Sequence, residues 1–265
     1  YSNNDLLEKI YIGLGKLGIV KGQLTQSDLS SVDEFHIGGS EGTLMLAEKL
    51  SINASSSVLD IGCGIGGPAR LLSSKIGCDV SGIDLTADFV STGNSLTDQV
   101  GLSDKVKLVE ASALNIPFAD NNFDVSYMIH VGMNIADKDV LFSEAFRVTK
   151  PGGVFGIYDV MLLGNCELQY PLPWAVEEDG NAIAYATEYI SALMKAGFSL
   201  KHEDDKIDFA NSFFEKMSVN MGSSKGPPPI GLHLLMGDFT KAKIRNMAQL
   251  IKSEIIAPKI LILEK

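Results

Sequence analysis

The sequence lacks the features that mark several large classes of protein. No apolar run approaches the ~18 residues that a membrane-spanning helix requires, so no membrane span is predicted. Lys and Arg together number 22 against 33 Asp and Glu, which gives a net charge of −11, and the basic residues form no stripe. Because nucleic acids are bound by clustered basic side chains, no nucleic-acid partner is expected.

Cysteine is also scarce. The three cysteines, Cys63, Cys78 and Cys166, have neither the spacing of metal ligands nor the even count of a disulfide framework. We therefore predict no bound metal and expect a reducing, cytoplasmic compartment. The sequence begins at Tyr1 rather than at a methionine, so a targeting peptide removed upstream stays open as an alternative.

The most informative segment that is present is VLDIGCGIGGPARLL, from Val58 to Leu72. Its pattern predicts a strand, a turn with alternating glycines at Gly62, Gly64 and Gly66, and then a helix. Glycine has no Cβ and tolerates positive φ, so the backbone of such a turn can approach a ligand closely. The N-terminus of the helix adds unpaired N–H groups. The segment therefore predicts a binding site for a nucleotide cofactor.

The glycine spacing alone does not identify the cofactor, because Gly62, Gly64 and Gly67 also fit the pattern of dinucleotide enzymes. Asp60, just before the turn, would repel a diphosphate but attract the ammonium group of an amino acid. Asp84 ends the next apolar run, about 20 residues beyond the turn, where a carboxylate can accept from two ribose hydroxyls. A cofactor with a cationic amino acid, a free ribose and no phosphate fits both acids.

These segments resemble the class I S-adenosylmethionine-dependent methyltransferases, specifically the small-molecule branch with the ubiquinone/menaquinone, sterol and sarcosine/dimethylglycine enzymes. The likeness runs from about Asp33 to Val160 and rests on D-x-G-x-G-x-G at 60–66, GIDL at 82–85, LNIPFADNNFD at 114–124 and RVTKPGG at 147–153. It implies S-adenosylmethionine as the cofactor and methyl transfer to a nitrogen, oxygen or carbon atom of a small molecule. No motif distinguishes among the three accepting atoms.

The resemblance also implies further cofactor contacts. Many relatives carry an acid after the third strand, on the adenine side of the cofactor, and the corresponding residue here is Ser112. Its hydroxyl can still accept a hydrogen bond, and the backbone N–H of Ala113 can serve a ring nitrogen. Leu85 and Ile129, at the ends of the second and fourth strands, are implied contacts as well.

Four residues are candidates for the substrate side. His130 directly follows the fourth strand, at the edge where the family presents residues to the transferring methyl, and is the candidate catalytic residue. His36 lies in DEFHIGG, which resembles the family's cofactor lid. Tyr170 and Trp174 lie in a proline-stiffened segment, where an aromatic ring can stack on a substrate. Packing roles stay open: His130 as a capping or core imidazole, and Trp174 as an anchor for its loop.

Alternating strand and helix patterns predict an α/β fold, with a Rossmann-like seven-stranded sheet, mostly parallel, and helices on both faces. The resemblance implies that the last strand enters antiparallel, between its neighbours. Strands are predicted near 57–61, 79–84, 106–110, 123–129, 153–160, 199–207 and 257–264. The methionines Met217, Met221 and Met236 are interpreted as core residues rather than as a pocket lining.

The chain length fits one domain, 1–265, with no internal repeats. Its predicted parts are an N-terminal helical lid at 1–50, a cofactor-binding core at 51–160 and a substrate-side half at 161–265 with insertions at 162–181 and 211–231. The insertions follow the C-terminal ends of strands, where ligands bind in open α/β sheets. We expect them to cover the substrate. The oligomeric state stays open.

Two other function classes also stay open. One is a protein that binds S-adenosylmethionine without transferring its methyl group, or that uses the fold for another reaction. The other is a nicotinamide-dependent oxidoreductase, which Asp60 and the KPGG and IPF segments disfavour.

Overall fold

A central seven-stranded β-sheet organises the residues that the computed structural model describes, which are 5–164, 167–222 and 226–265. Cys166 lies outside them. The strands are β1 (Ser57–Ile61), β2 (Asp79–Asp84), β3 (Val106–Glu110), β4 (Phe123–Ile129), β5 (Thr149–Leu162), β6 (Ser199–Asp205) and β7 (Ile256–Glu264). The predicted strands are confirmed, the first four with the same bounds.

The strand order across the sheet is β3-β2-β1-β4-β5-β7-β6. Neighbours from β3 to β5 pair in parallel, whereas β7 is antiparallel to both β5 and β6. The predicted Rossmann-like topology, with the last strand antiparallel between its neighbours, is confirmed. The chain moves outward from β1 in one direction and resumes with β4 on the other side. Ligands of open α/β sheets bind at such a reversal, beyond the C-terminal ends of the strands.

The fifth strand begins earlier than the predicted 153–160. It starts at Thr149, which pairs with Phe123, and the register then shifts so that Val154 pairs with Val125. The extra residues form a bulge that contains Gly152, whose φ of +74° favours glycine. The backbone N–H of Gly152 donates to the Lys265 carbonyl. The Lys-Pro-Gly-Gly sequence therefore interrupts the strand with a bulge instead of preceding it with a turn.

Helices cover both faces of the sheet. They are α1 (Asp5–Lys16), α2 (Ser30–Asp33), α3 (Gly39–Lys49), α4 (Gly67–Ile76), α5 (Ala87–Gln99), α6 (Lys138–Val148), α7 (Ala186–Ala196), α8 (Ile207–Gly222), α9 (His233–Met236) and α10 (Thr240–Lys252), with short 3-10 turns at Gln26–Leu29 and Gly132–Asn134. None of the helices within the described ranges is long and apolar enough to cross a membrane.

The predicted insertion at 211–231 is largely helical. Its first part belongs to α8, which begins at Ile207, and the strand before it ends at Asp205 rather than at the predicted 207. Phe213 and Phe214 of α8 pack against a cluster of buried residues that includes Val160 of β5 and Ile256 of β7. Tertiary packing of these rings therefore fixes a helix where the sequence predicted a long connection.

The N-terminal segment packs on the core. Ile10 and Leu14 of α1 share a hydrophobic cluster with Ile65 of the glycine turn and Ile230 of the proline-rich connection. At Gly13 a Cβ would lie only 2.3 Å from the Pro229 carbonyl oxygen, so helix and connection touch backbone to backbone. The N-terminal helices thus lie beside the C-terminal edge of the sheet.

Candidate active site

A cavity of about 740 Å³ opens at the C-terminal ends of β1, β2 and β4. Its volume lies within the range of roughly 300–1,000 Å³ for small-molecule sites. Predicted site residues on its wall are Gly62, Gly64, Asp84, Leu85, Ser112, Ala113, Ile129, His130, His36 and Trp174. Asp60, Gly66 and Tyr170 are not on this wall. The cavity therefore brings together most, but not all, of the residues that the sequence singled out.

The three alternating glycines of the turn have different structural reasons. All three have positive φ, at +78° for Gly62, +55° for Gly64 and +79° for Gly66. A Cβ on Gly62 would lie 2.4 Å from a Val131 methyl group, and one on Gly66 would lie 2.6 Å from Leu108. A Cβ on Gly64 would meet no atom within 4 Å. Gly62 and Gly66 are thus required by packing within the protein, whereas Gly64 presents bare backbone to the cavity.

Asp84 is held in place by two backbone groups. Its Oδ2 accepts from the Gly64 N–H at 2.9 Å, and its Oδ1 accepts from the Thr86 N–H at 2.9 Å. Each carboxylate oxygen can accept more than one hydrogen bond, so both retain a free direction. The predicted ribose acceptor is therefore oriented beside the glycine turn.

The next part of the wall joins Leu85 to the turn after β3. Leu85 is 74% exposed, which is unusual for a large apolar side chain directly after a buried strand. The Ser112 hydroxyl accepts from the Leu114 N–H at 3.1 Å, and the Ser112 carbonyl accepts from Asn115. An ordered turn and an exposed aliphatic side chain thus form the surface predicted to hold adenine.

Asp60 lies behind the cavity wall, only 2% exposed. Its Oδ2 and the hydroxyl of Tyr127, its register partner on β4, both lack a hydrogen-bond partner within the described part of the chain. Burial raises the pKa of Asp60 to about 8. Tyr127 lowers this pKa, whereas the nearby Asp84 and Glu34 carboxyls raise it further. A buried carboxyl with an unmet hydrogen-bonding atom is suited to a cationic group, because pairing would restore its charged form.

His130 adjoins a second histidine. Its ring centroid lies 6.0 Å from that of His36 and 5.1 Å from that of Tyr158, and its φ of +54° is uncommon outside glycine. The buried Nε2 atom of His130 has no partner among the described residues. Burial, and then His36, hold its pKa well below 6.5, so the imidazole is neutral at pH 7. A neutral imidazole at the end of β4 can accept or donate a hydrogen bond.

His36 is anchored in a polar group that the sequence did not predict. Its Nε2 lies 3.0 Å from the Gly39 carbonyl oxygen and 3.1 Å from the Thr43 hydroxyl, which in turn donates to Glu34 at 2.8 Å. Burial lowers the pKa of His36 to about 4 and raises that of Glu34 to about 7. The position of Glu34, two residues before His36 in the sequence, was a signal available for this group.

A buried ion pair fixes the segment that carries His36. Arg70 of α4 and Asp33 are both fully buried and meet at 2.6 Å, and Arg70 also donates to the Gly93 carbonyl oxygen and the Thr97 hydroxyl of α5. A Cβ on Gly67 would lie 2.0 Å from the Asp33 carbonyl oxygen. The fourth glycine of the motif therefore lets the N-terminal segment lie directly on the glycine turn.

Trp174 and Tyr170 share one partner but only Trp174 faces the cavity. The Trp174 indole N–H donates to the Asn181 side-chain oxygen at 2.8 Å, and the Asn181 amide donates to the Tyr170 hydroxyl at 3.0 Å. Trp174 therefore anchors its loop and also lies on the cavity wall, where stacking on a substrate stays a prediction. Tyr170 supports that arrangement from behind.

The largest set of wall residues that sequence reasoning missed is apolar. Met217 of α8 and Met236 of α9, interpreted from the sequence as core residues, both line the cavity. The Met221 side chain lies outside the described part of the chain. Beside these methionines the wall includes Phe213, Phe214, Leu235 and Met247. Methionine and aromatic residues at helical spacing do not by themselves distinguish a core from a cavity.

Comparison with known proteins finds similar methyltransferases. Residues 59–157 match a family model described as "Methyltransferase domain". The chain is 30% identical over 223 residues to the sterol 24-C-methyltransferase ERG6B of Gibberella zeae. The aligned region covers 81% of this chain and 59% of that protein. It thus spans less than two thirds of the length of the curated relatives it matches.

Two solved structures are similar in fold. A geranyl diphosphate C-methyltransferase from Streptomyces coelicolor A3(2), in complex with Mg²⁺, geranyl diphosphate and S-adenosyl-L-homocysteine, has a TM-score of 0.70 at 17% identity and covers 85% of this chain and 77% of its own. The [4+2]-cyclase SpnF has a TM-score of 0.70 at 20% identity, covering 99% and 94%. At these identities the likeness establishes the fold.

Proposed function

We propose that this chain, which matches a methyltransferase domain model over residues 59–157 and is 30% identical to a sterol 24-C-methyltransferase, transfers a methyl group from S-adenosylmethionine to a small molecule. The observation that carries the proposal is the single cavity that joins Gly64 and Asp84 to His130 and to the apolar wall of α8. One part of this cavity suits a polar nucleoside and the other an acceptor. The nicotinamide alternative is set aside by the family match.

The chain's own groups fit the cofactor at several points. The bare backbone at Gly64 leaves room for it, and the oriented Asp84 carboxylate can accept from ribose hydroxyls. The unpaired Asp60 Oδ2, buried behind the wall, would complement the charge of an ammonium group held in the cavity. Leu85, Ser112, Ala113 and Ile129 line the adjoining surface, whereas Gly66 acts through packing.

When bound, S-adenosylmethionine supplies a methyl group that is already activated by the positive charge on its sulfur. The protein's task is then alignment, which can lower a barrier by roughly 7–11 kcal/mol. His130 would orient the accepting group through Nε2, or take its proton if one must leave. His36 would fix the His130 ring, since the two imidazoles meet edge to face. Trp174 would lie against the acceptor and limit its position in the cavity.

The domain arrangement follows from the same placement. The segment 1–50 would act as a lid, held by the Asp33–Arg70 pair, over the core at 51–160. The half at 161–265, with its insertions at 162–181 and 211–231, would cover the acceptor. A cytoplasmic location and the absence of a nucleic-acid partner stay predictions.

The experiment combines binding and turnover. S-adenosylhomocysteine should bind in calorimetry with a Kd in the micromolar range, which is about −8 kcal/mol. Incubation with S-adenosylmethionine labelled in the methyl group and a panel of small acceptors should then transfer the label. Binding of a nicotinamide dinucleotide but not of S-adenosylhomocysteine would refute the proposal.

A second candidate is a reaction in which the cofactor is bound but keeps its methyl group. It is favoured by the near-complete overlap with a fold neighbour that is described as a cyclase. Conversion of an acceptor without formation of S-adenosylhomocysteine would support it.

A further inference from the structure

Aromatic rings and thioethers form much of one part of the cavity wall. This part lies on α8, on α9 and on the segments that follow β4 and β5. We call it the aromatic–methionine wall, and it consists of Met133, Trp174, Phe213, Phe214, Met217 and Met236. Methionine side chains adapt to irregular apolar shapes, and aromatic rings add large contact areas. A hydrocarbon ligand would therefore form the most favourable contacts with such a wall.

The charged side chains that the cavity offers to a ligand are acidic. Within the described wall, the carboxylates without an ion-pair partner belong to Asp84 and Asp137. The Asp33 carboxylate and the Arg70 guanidinium are fully buried and paired with each other, so neither is available to a ligand. A phosphate or carboxylate entering here would lose its hydration and find carboxylates in place of a cationic partner.

One polar atom stands at the border of the aromatic–methionine wall. The Nε2 atom of His130 is buried, has no partner within the described residues and belongs to an imidazole that is neutral at pH 7. A neutral hydrogen-bonding group such as a hydroxyl would satisfy this atom without bringing a charge into the cavity. The site thus offers an extended apolar contact and one point of polar recognition.

We propose that the methyl acceptor is a neutral, hydrocarbon-rich molecule with one hydrogen-bonding group at the reacting end, rather than a phosphorylated or carboxylated one. This inference rests on the proposed methyl transfer. The acceptor's hydrocarbon part lies along the aromatic–methionine wall and its polar group at His130.

The test uses one hydrocarbon tail with two head groups. Farnesol and farnesyl diphosphate are titrated into protein saturated with S-adenosylhomocysteine, the diphosphate with and without Mg²⁺. Trp174 is the only tryptophan of the chain and lies on the wall, so its fluorescence reports occupancy. Farnesol should bind at least tenfold more tightly than the diphosphate. Equal or tighter binding of the diphosphate, or no binding of farnesol, would overturn the inference.

A charge placed on the wall gives a second readout. Met217→Lys should weaken farnesol binding at least tenfold and strengthen that of farnesyl diphosphate. Met217→Leu, which keeps the wall apolar, should retain the order of the two affinities found for the unaltered protein. Val176→Lys is the matched control, because Val176 is 60% exposed on the same segment as Trp174 and is not part of the described wall. It should change neither affinity. If Met217→Lys behaves like the control, the wall does not hold the acceptor.

Failure of this inference is distinguishable from failure of the proposed function. Binding of S-adenosylhomocysteine is measured separately by calorimetry before any acceptor is added. If it binds and the diphosphate is preferred, only the acceptor class is wrong. If it does not bind, the methyltransferase proposal itself fails.

Discussion

The Asp84 carboxylate and the backbone N–H of Gly64 are joined by a hydrogen bond of 2.9 Å, which links the end of β2 to the glycine turn of β1. The residue that the sequence suggests for the ribose and the one that leaves space for the cofactor therefore orient each other. This coupling separates substitutions that remove a ligand contact from those that disturb the turn.

Asp84→Asn should weaken binding of S-adenosylhomocysteine by one to two orders of magnitude. It removes the charge and one acceptor oxygen but keeps the shape, and hydrogen bonds to charged groups are worth about 1.5–3 kcal/mol. Calorimetry gives the dissociation constant. Asp88→Asn, exposed on the first turn of α5, is the control and should leave it unchanged. An unaltered constant in folded Asp84→Asn would exclude the ribose role.

Gly64→Leu should abolish cofactor binding while the protein stays folded. The new side chain would project into open space on the cavity wall and would also adopt positive φ, which costs about 1–2 kcal/mol. Gly101→Leu controls for that strain, because Gly101 has φ of +70° and equally open surroundings but does not line the cavity. Both variants should lose similar stability in urea unfolding. Retained binding in Gly64→Leu would contradict the assignment.

Binding of S-adenosylmethionine at pH 7 should release a proton from Asp60. Burial raises the pKa of this carboxyl to about 8, so it is mostly protonated at pH 7, and a nearby ammonium group would lower that pKa. The binding enthalpy should therefore differ between phosphate and Tris buffers by their difference in ionisation enthalpy. At pH 9 the carboxyl has largely lost its proton and an α-amino group, whose pKa is about 7.7–8.0, is mostly neutral. Binding should then take up a proton, and between two buffers that titrate at pH 9 the buffer dependence should reverse its sign.

The matched variant for this measurement is Asp60→Asn. It keeps the volume of the side chain but has no proton to lose, so its binding enthalpy should be independent of the buffer at pH 7. A buffer dependence that persists in Asp60→Asn would assign the proton to another group, such as Glu34.

His130→Ala should lower turnover at least tenfold and leave the affinity for S-adenosylhomocysteine nearly unchanged, because the groups proposed to hold ribose lie on other strands. His130→Gln, which can still form a hydrogen bond, should recover part of the rate if the residue orients the acceptor. The pKa of His130 lies well below 6.5, so the rate of the unaltered protein should show no imidazole titration between pH 6.5 and 8. His202→Ala, on the outer strand β6, is the control.

A loss of stability with unchanged turnover in His130→Ala would make the histidine a packing residue. The edge-to-face contact with His36 would then be its function.

Arg70→Met should destabilise the protein by about 3–5 kcal/mol, because it leaves the Asp33 carboxylate buried without its partner. Urea unfolding measures the change. The double variant Asp33→Asn/Arg70→Met should be less destabilised than the sum of the single variants, since it leaves no unpaired charge. Additive losses would show that the two side chains act independently.

Local patterns predicted the first half of the fold well. Strands β1 to β4 are bounded by glycine, proline or polar residues within a few positions of each end. The bulge at Gly152 was not predictable, because it depends on pairing with both β4 and β7. The extent of helix α8 into the predicted insertion depends on distant strands in a similar way, because these decide what Phe213 and Phe214 contact.

The site was predictable where chemistry and spacing coincide and not where it depends on packing. Gly64 and Asp84 could be assigned from their positions, but Asp60 proved to lie behind the wall, because the strand turns its side chain into the protein. Met217 and Met236 could not be assigned, since a helix shows the same apolar periodicity whether its face meets a core or a cavity.

The position of β7 also bears on how the protein acquires its structure during synthesis. This strand comes last among those described, yet it lies between β5 and β6, and its register partners extend along the whole of β5 from Val154 onward. Until Ile256–Glu264 has left the ribosome, one side of β5 is an open edge, to which strands of other chains can bind. The edge of β5 is therefore covered only once the last described strand is available, and until then it can pair with strands of other chains.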